Sequence, residues 1–458
     1  MIYPPQTSMI PVAVALARFV EAHGFGGAYP FWYLGTTPVR FLTGPVVPVV
    51  LIGLHNLTGL PYFDLTYVLL IISFLASSAG WGLWASRVTN NKTTGVVVAF
   101  LVLFLPWRWL SGLALSEPSL LIAKNLLPWA LLVIDRALGQ TNVKIHGLAI
   151  LTLSFLFFIH TAVMFPMLVG LVAVLGVIKG EEEREVVYVR RVVFMFLAAL
   201  AVVTFWYTPR FWWTVLTNPS IGGAPGVFAI GNAVDFLSII LPVAAAVLVV
   251  LFFKKGADPL VKFSVIWLGT FGALTLFRFF ANPNFWQDWT SWLYEIEIGL
   301  AILIASRWKS SLLSLVVLPV VVALFVYGKL GKPALFSPTL PTGVKSLVKL
   351  NEIAGDKRVF MSGSTVFWAN SLFDMVQVRG GRDEAAINPL WRSAAYEIRE
   401  GQDPQQSAKL LKELDVSYVL VHGEDSPEYH YDFKHLEKWA AVGKMIWEER
   451  GDAIYRTD

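Results

Sequence analysis

Tyr29-Pro-Phe-Trp-Tyr-Leu-Gly-Thr-Thr-Pro-Val-Arg-Phe-Leu-Thr-Gly-Pro-Val-Val-Pro48 decides how the rest of this chain is read. Aromatic rings alternate there with prolines and glycines, which remove backbone donors and loosen the helix, so the stretch has no use as a lipid-facing helix. It reads as an ordered, non-helical loop set against a membrane surface, where a site can be built. Tyr29, Trp32, Tyr33 and Arg40 are its candidate substrate-contacting residues.

Beyond that loop the chain has the composition of a membrane protein. The 458 residues are 56% hydrophobic and only 15% charged, with a mean hydropathy of +0.61. Repeated apolar runs approach the ~20 residues of a bilayer span, which excludes a soluble fold for the first three quarters of the chain. Ten spans are predicted, near 63–86, 93–106, 118–137, 145–160, 161–178, 192–209, 236–253, 260–281, 290–306 and 311–328. The net charge of +4 is no nucleic-acid signal, because most basic residues lie in the short connections. Cysteine is absent, so disulfides and thiolate metal sites are excluded. Residues 1–6 carry no basic n-region and no cleavable signal peptide is visible.

Orientation follows from the connections. Arg87 and Lys92, Arg136 and Lys144, Lys179 with Arg184, Arg190 and Arg191, Lys254 with Lys255 and Lys262, and Arg307 with Lys309 occupy alternate loops, which the positive-inside rule places in the cytoplasm. The opposite connections are rich in rings, including Trp107, Trp109, Trp212, Trp213, Trp286 and Trp289, and form the outer face. Parity then puts both residues 1–62 and the C-terminal region outside. The apolar segment Gly44–Gly59 should therefore not cross, which its length of about sixteen residues also disfavours. An outer start also leads us to expect one further span upstream of Met1.

After a Pro- and Gly-rich linker at 329–343, the composition becomes soluble, and residues 344–458 read as a small α/β domain. Residues 358–361, 374–379 and 417–422 are strand-like. Asp403-Pro-Gln-Gln opens a helix, and Arg450-Gly-Asp452 turns a hairpin between 444–449 and 453–456. The expected fold is a polytopic all-α bundle of about ten spans, with residues 1–62 as an outer loop, 63–328 as the helical membrane domain and 344–458 as an extracytoplasmic α/β domain.

This layout, a large first outer loop, a short apolar segment behind it and an outer C-terminal α/β domain, resembles the GT-C superfamily of membrane glycosyltransferases over nearly the whole chain. Within it, residues 29–48, 377–391, 394–401 and 415–423 resemble the membrane proteins labelled 6-pyruvoyl-tetrahydropterin synthase-related. The resemblance implies transfer of a sugar from a polyprenyl-phosphate donor to an acceptor on the outer face. Its partners would be membrane lipid and the lipid-linked donor, with no nucleic acid and an undefined acceptor. Such chemistry wants an apolar groove, cations for the phosphate and an acid for the acceptor hydroxyl. A divalent metal is compatible with it, but the sequence shows no cluster of metal ligands and assigns none.

In that superfamily a key acid stands early in the first outer loop. Here residues 4–8 hold Pro, Pro, Gln, Thr and Ser, and the first sixty-two residues contain a single carboxylate, Glu21. The catalytic candidates are Glu21, Glu117, Asp288 and Glu295. Each also has a structural explanation: Glu117 as a first-turn charge, Asp288 as a solvated loop acid, Glu295 as half of an interhelical ion pair with Arg278. Glu295 and Glu297 point to opposite sides of their helix and form no dyad. Lys124, Arg210 and Arg278 at outer span ends, with His160 at a hairpin, are candidates for the lipid phosphate; snorkelling and a satisfied histidine are their structural alternatives. The site is expected between the first outer loop, the loops at 107–117 and 279–292, and the C-terminal domain. A non-catalytic protein of the same architecture that binds lipid-linked glycans or partner proteins is the second reading. A transporter, which would show internal repeats and midplane polar sites, is the third.

Overall fold

The computed structural model describes residues 1–36, 44–115, 117–177, 182–217, 258–280, 289–307, 335–381 and 389–457. Arg40, Asp288 and the expected spans 236–253 and 311–328 lie outside the described residues.

The chain opens with helix α1 (Ile10–His23) and α2 (Val46–Thr58). Between them, Tyr29 and Thr36 exchange both backbone hydrogen bonds at 2.8 Å. Tyr33, Leu34 and Gly35 turn the chain with φ of 52°, 68° and 89°. Residues 29–36 are thus the ordered non-helical loop that the ring-rich sequence predicts, while the helix from Val46 corrects the expectation that this character persists to Pro48. Helix α2 has 13 residues, about 20 Å at 1.5 Å each, and is short of the ~30 Å hydrocarbon core.

Ten more helices among the described residues build the bundle. They are α3 (Tyr62–Thr89), α4 (Lys92–Leu103), α5 (Pro106–Ala114), α6 (Pro118–Leu138), α7 (Val143–Ile159), α8 (Met164–Val177), α9 (Glu182–Val203), α10 (Pro209–Thr217), α11 (Pro259–Phe280) and α12 (Trp289–Arg307). Asn90 adopts the left-handed conformation that ends α3, and the Asn91 side chain accepts from Thr93 and Thr94 to start α4. The two helices then pack closely where Gly82 and Gly95 meet: a Cβ on either would stand 2.6–2.7 Å from the other's carbonyl oxygen. Pro106 breaks the next segment, so α4 and α5 meet at a 42° bend. Residues 107–114, expected as an outer loop, are helical.

Four helices among the described residues are long and apolar enough to cross a membrane, α3, α6, α11 and residues Val186–Val203 of α9, or five if the bent α4–α5 pair counts as one span. The expected ten spans are not shown among the described residues, and two of the ten lie outside them. Residues 143–159 and 161–177 are apolar but shorter, with the chain breaking at His160, and α12 carries Glu295 and Glu297 within its 19 residues.

The C-terminal part contains α13 (Lys345–Ala354), β1 (Val359–Phe360), α14 (Thr365–Leu372), α15 (Pro389–Glu400), α16 (Pro404–Glu413), β2 (Tyr418–His422), α17 (Trp439–Val442), β3 (Lys444–Glu449) and β4 (Asp452–Arg456). The sheet order is β1-β2-β4-β3, with β1 parallel to β2 and the other pairs antiparallel. Asp403 caps α16 by accepting from Gln405, and Arg450 and Gly451 turn the β3–β4 hairpin with positive φ, both as the sequence predicts. Residues 374–379, expected as a strand, make only an isolated bridge at Gln377.

Two hydrophobic cores result. One gathers the bundle helices around Trp81, Trp84, Phe263 and Trp267. The other joins Val12, Leu16, Phe19, Tyr29, Trp32 and Tyr33 to Phe360, Val378, Trp391 and Val419. Residues from the first segment and from the C-terminal sheet therefore share one interior.

Candidate functional site

The polar residues of the bundle stack along one face of α6. Glu117 is the N-cap residue, Pro118 occupies the first helical position, and Lys124 stands seven residues after Glu117, two turns down the same face. At the top, His160 Nε2 meets Glu117 Oε2 at 3.0 Å. The His160 Nδ1 accepts the Ala162 N–H at 3.1 Å, which leaves the ring proton on Nε2, where it is donated to the carboxylate. His160 reaches this point because α7 ends there and the chain turns into α8.

Two turns lower, Lys124 Nζ stands 2.8 Å from Glu295 Oε1, with the two side chains 7% and 1% exposed. At this distance the contact is a close ammonium–carboxylate ion pair, buried on both sides. The Lys124 ammonium also lies 5.6 Å from the Tyr294 ring centroid. Sequence reasoning foresaw a partner for Glu295 but named Arg278; the partner is Lys124, from α6. Arg278 is half-buried in the last turn of α11, and Arg210 is exposed on α10.

A third layer surrounds Arg108, which is completely buried. Its guanidinium donates to the carbonyls of Val102 (2.9 Å) and Phe74 (3.1 Å) and to Asn125 Oδ1 (3.0 Å). Asn125 Oδ1 also accepts from the Tyr294 hydroxyl, and Asn125 Nδ2 donates to Ser73 Oγ at 2.7 Å. Glu297 accepts from the backbone N–H groups of Trp107 and Arg108, each at 3.0 Å, and so caps α5 from another helix. Glu295 and Glu297 accordingly serve different partners, as their spacing requires. Sequence reasoning missed Arg108, Asn125 and Ser73. An arginine inside an apolar stretch, between Trp107 and Trp109, was the available signal.

The first residues of the chain reach this column. Ser8 Oγ and Thr7 Oγ1 donate to the carbonyls of Leu113 (2.9 Å) and Ala114 (3.0 Å) at the end of α5. Gln6 is gripped from the C-terminal part, its carbonyl accepting from Trp368 Nε1 at 2.9 Å and its amide lying 3.4 Å from Glu428. Residues 6–8 thus strap the C-terminal part to the bundle three residues before Glu117. Hydroxyls, not a carboxylate, occupy this strap.

Glu21 lies elsewhere, exposed in a cleft at the C-terminal end of α1 with Arg18, His23 and Asp374. Tyr29, Trp32 and Tyr33 are 0%, 0% and 1% exposed and pack in the second core. Trp32 Nε1 donates to Asn370 Oδ1 at 2.8 Å, and the Tyr33 hydroxyl donates to the Gly380 carbonyl at 3.0 Å. Gly380 and Gly381 seat these rings: a Cβ on Gly380 would stand 2.5 Å from Trp32 Cγ, and one on Gly381 2.8 Å from Val12. The ring-rich loop and the 377–381 segment, prominent as separate passages of sequence, are two sides of one contact.

In the C-terminal part, Asp432 Oδ2 receives the Ser362 hydroxyl, the Gly363 N–H (3.2 Å) and the guanidinium groups of Arg379 (3.1 Å) and Arg399 (3.2 Å). Burial pushes this carboxyl up, but the Ser362 hydrogen bond and the two arginines outweigh it and hold it below the usual carboxylate range. The cation of Arg379 is committed to Asp432. Arg382 and Asp383 lie outside the described residues. Among the described residues no group of three or more His, Asp and Glu is arranged to hold a metal ion, and no metal centre is assigned.

No family model and no curated protein matches this chain. Among solved structures it is similar to the apo oligosaccharyltransferase of Archaeoglobus fulgidus, with 12% identity and a TM-score of 0.54 over 100% of this chain and 71% of that one. It is also similar to the arabinofuranosyltransferase AftD from Mycobacteria, with 15% identity and a TM-score of 0.54, spanning 100% of this chain but only 38% of AftD. At such identities the likeness is one of fold: the chain shares the fold of these two structures. The narrower pterin-synthase-related grouping is not shown by these likenesses.

Proposed function

We propose that this chain is a GT-C-type glycosyltransferase that moves a sugar from a polyprenyl-phosphate donor to an acceptor hydroxyl on the outer face of the membrane, with Glu117 as the base. The observation that carries the reading is the Glu117–His160 pair at the head of α6. A histidine that donates to the carboxylate fixes its orientation, and a carboxylate so oriented is the group type that takes a proton from a hydroxyl. In the step we envisage, the acceptor oxygen bonds to the anomeric carbon, its proton passes to Glu117, and the sugar–phosphate bond breaks to release the polyprenyl phosphate. Lys124, on the same face of α6, is the best-supported of the proposed phosphate-side cations, with Arg210 and Arg278 as further candidates. Because Lys124 is already matched by Glu295, a phosphate there would compete with Glu295.

The test is sugar transfer from radiolabelled polyprenyl-phosphate sugars in proteoliposomes. Glu117→Gln keeps the shape and removes the base, and a loss of about a hundredfold or more is expected. His160→Asn should lose less. Transfer at the parental rate in Glu117→Gln refutes the assignment.

A second reading, a non-catalytic relative that binds lipid-linked glycans or partner proteins, draws on one observation. The only carboxylate of the first sixty-two residues, Glu21, stands in a different cleft from the strap that reaches Glu117. Binding of the lipid-linked sugar without turnover in the parental protein would favour it.

A further inference from the structure

Helix α5 leads the chain into Glu117, and it is held at both ends. At its start, Glu297 of α12 accepts the Trp107 and Arg108 N–H groups at 3.0 Å each. Its last carbonyls have no continuing helix to bond, and Pro118, four residues after Ala114, has no N–H to offer. Hydroxyls close this end instead: Ser8 Oγ donates to the Leu113 carbonyl at 2.9 Å and Thr7 Oγ1 to the Ala114 carbonyl at 3.0 Å. Ser8 Oγ also accepts the Ile10 N–H at 3.2 Å, which fixes its rotamer at the head of α1. Glu117 follows three residues after Ala114, as the N-cap of α6.

The two anchors of α5 differ in origin. Glu297 belongs to the bundle, whereas residues 7 and 8 are held through Gln6 by the C-terminal part. The Gln6 carbonyl accepts from Trp368 Nε1 at 2.9 Å, and its Nε2 stands 3.4 Å from Glu428 Oε2. Glu428 is 2% exposed and accepts from the N–H and the hydroxyl of Ser364, at 2.9 and 2.7 Å. Ser364 opens α14, the helix that also carries Trp368, so one helix grips Gln6 twice. Gly343 makes room for the grip: a Cβ there would stand 2.1 Å from Gln6 Nε2.

We propose that Thr7 and Ser8 are positioning residues for Glu117, and that Gln6 makes their hold depend on the docked C-terminal part. The proposal rests on the transfer function above. His160 restrains the Glu117 side chain, and the strap restrains the backbone that delivers it. A base must meet the acceptor hydroxyl at hydrogen-bond distance, and a displacement of about 1 Å costs up to about a hundredfold in rate. Loss of the two hydroxyls therefore lowers the rate without removing any group that touches substrate.

The test compares Thr7→Val with Ser8→Ala, which removes both hydroxyls, against Thr7→Ser with Ser8→Thr, which keeps them. In the proteoliposome assay the first combination should lower kcat about tenfold or more and leave the donor KM within about twofold of the parent, while the second retains the parental kcat. Gly343→Ala, which displaces the Gln6 amide from a distance, should lower kcat in the same direction. A second readout needs no turnover. Carbethoxylation of His160 by diethyl pyrocarbonate, followed by mass spectrometry, should quicken about fivefold in Thr7→Val with Ser8→Ala, the equivalent of one hydrogen bond, while the buried His422 reacts as in the parent. Parental kcat without the hydroxyls, an equal loss in the combination that keeps them, or unchanged His160 reactivity overturns the inference, and parental kcat in Gly343→Ala overturns the part given to Gln6. Glu117→Gln at the parental rate removes the base and the transfer mechanism with it, whereas the His160 measurement still decides whether the strap holds the pair.

Discussion

Breaking the Lys124–Glu295 pair should cost far more than removing it whole. At 2.8 Å and an effective dielectric constant of about 20, the two charges attract by about 6 kcal/mol, and the cost of taking both from water offsets much of that. Lys124→Met leaves Glu295, 1% exposed, without the cation beside it. Glu295→Met removes the carboxylate that stands 2.8 Å from the buried ammonium. Each single change is expected to destabilise by about 3–5 kcal/mol, whereas the double change should lie within about 1 kcal/mol of the parent. Unfolding of all four proteins in one detergent, by denaturant titration, closes the double-mutant cycle. If the double variant loses the sum of the singles, the two side chains are not each other's partners and the column along α6 is misread.

Other consequences are separate and cheaper to check. Gly380→Ala drives a methyl into Trp32 and should destabilise the joint core by about 1–3 kcal/mol, read as faster limited proteolysis of both the first segment and the C-terminal part. Because Asp432 is held below its usual range, its contribution to stability is fully present above the unfolded value of about 3.9 and is lost as pH falls through the lower folded value. Unfolding midpoints measured from pH 7 to pH 2 should show that acid limb in the parent and a weaker one in Asp432→Asn.

Local signals were legible in the sequence where a few neighbouring residues settle the outcome. Asp403 before Pro404 starts a helix, Arg450-Gly451 closes a hairpin, and the length of Val46–Thr58 keeps it short of a span. The break at His160 was legible, since the expected spans 145–160 and 161–178 part there, whereas the helix that follows Pro106 was not. The site was half legible. Glu117, Lys124, His160 and Glu295 stood out as polar groups in apolar surroundings, but their pairing did not, since His160 comes to Glu117 from 43 residues away and Glu295 to Lys124 from another helix. Tyr29, Trp32 and Tyr33 read as a contact surface because nothing local reveals that Gly380 and Gly381 leave room for their rings.

The shared core also constrains topology more tightly than charge counting does. Phe19, Trp32 and Tyr33 pack in one interior with Phe360, Val378 and Trp391, so the first segment and the C-terminal sheet must lie on the same side of the membrane, whichever side that is. The basic connections, by the positive-inside rule, are the ground for proposing that this side is the outer one. The chain contains no cysteine, so single replacements at exposed positions report without background. Glu21→Cys and Tyr429→Cys mark the joint body, and Lys92→Cys marks the α3–α4 connection. A membrane-impermeant maleimide applied to intact cells should modify the first two and reach the third only after permeabilisation. Labelling of Glu21→Cys and Tyr429→Cys from opposite sides would contradict the packing itself, whereas labelling of both only after permeabilisation would keep the fold and reverse the orientation, moving the proposed transfer to the cytoplasmic face.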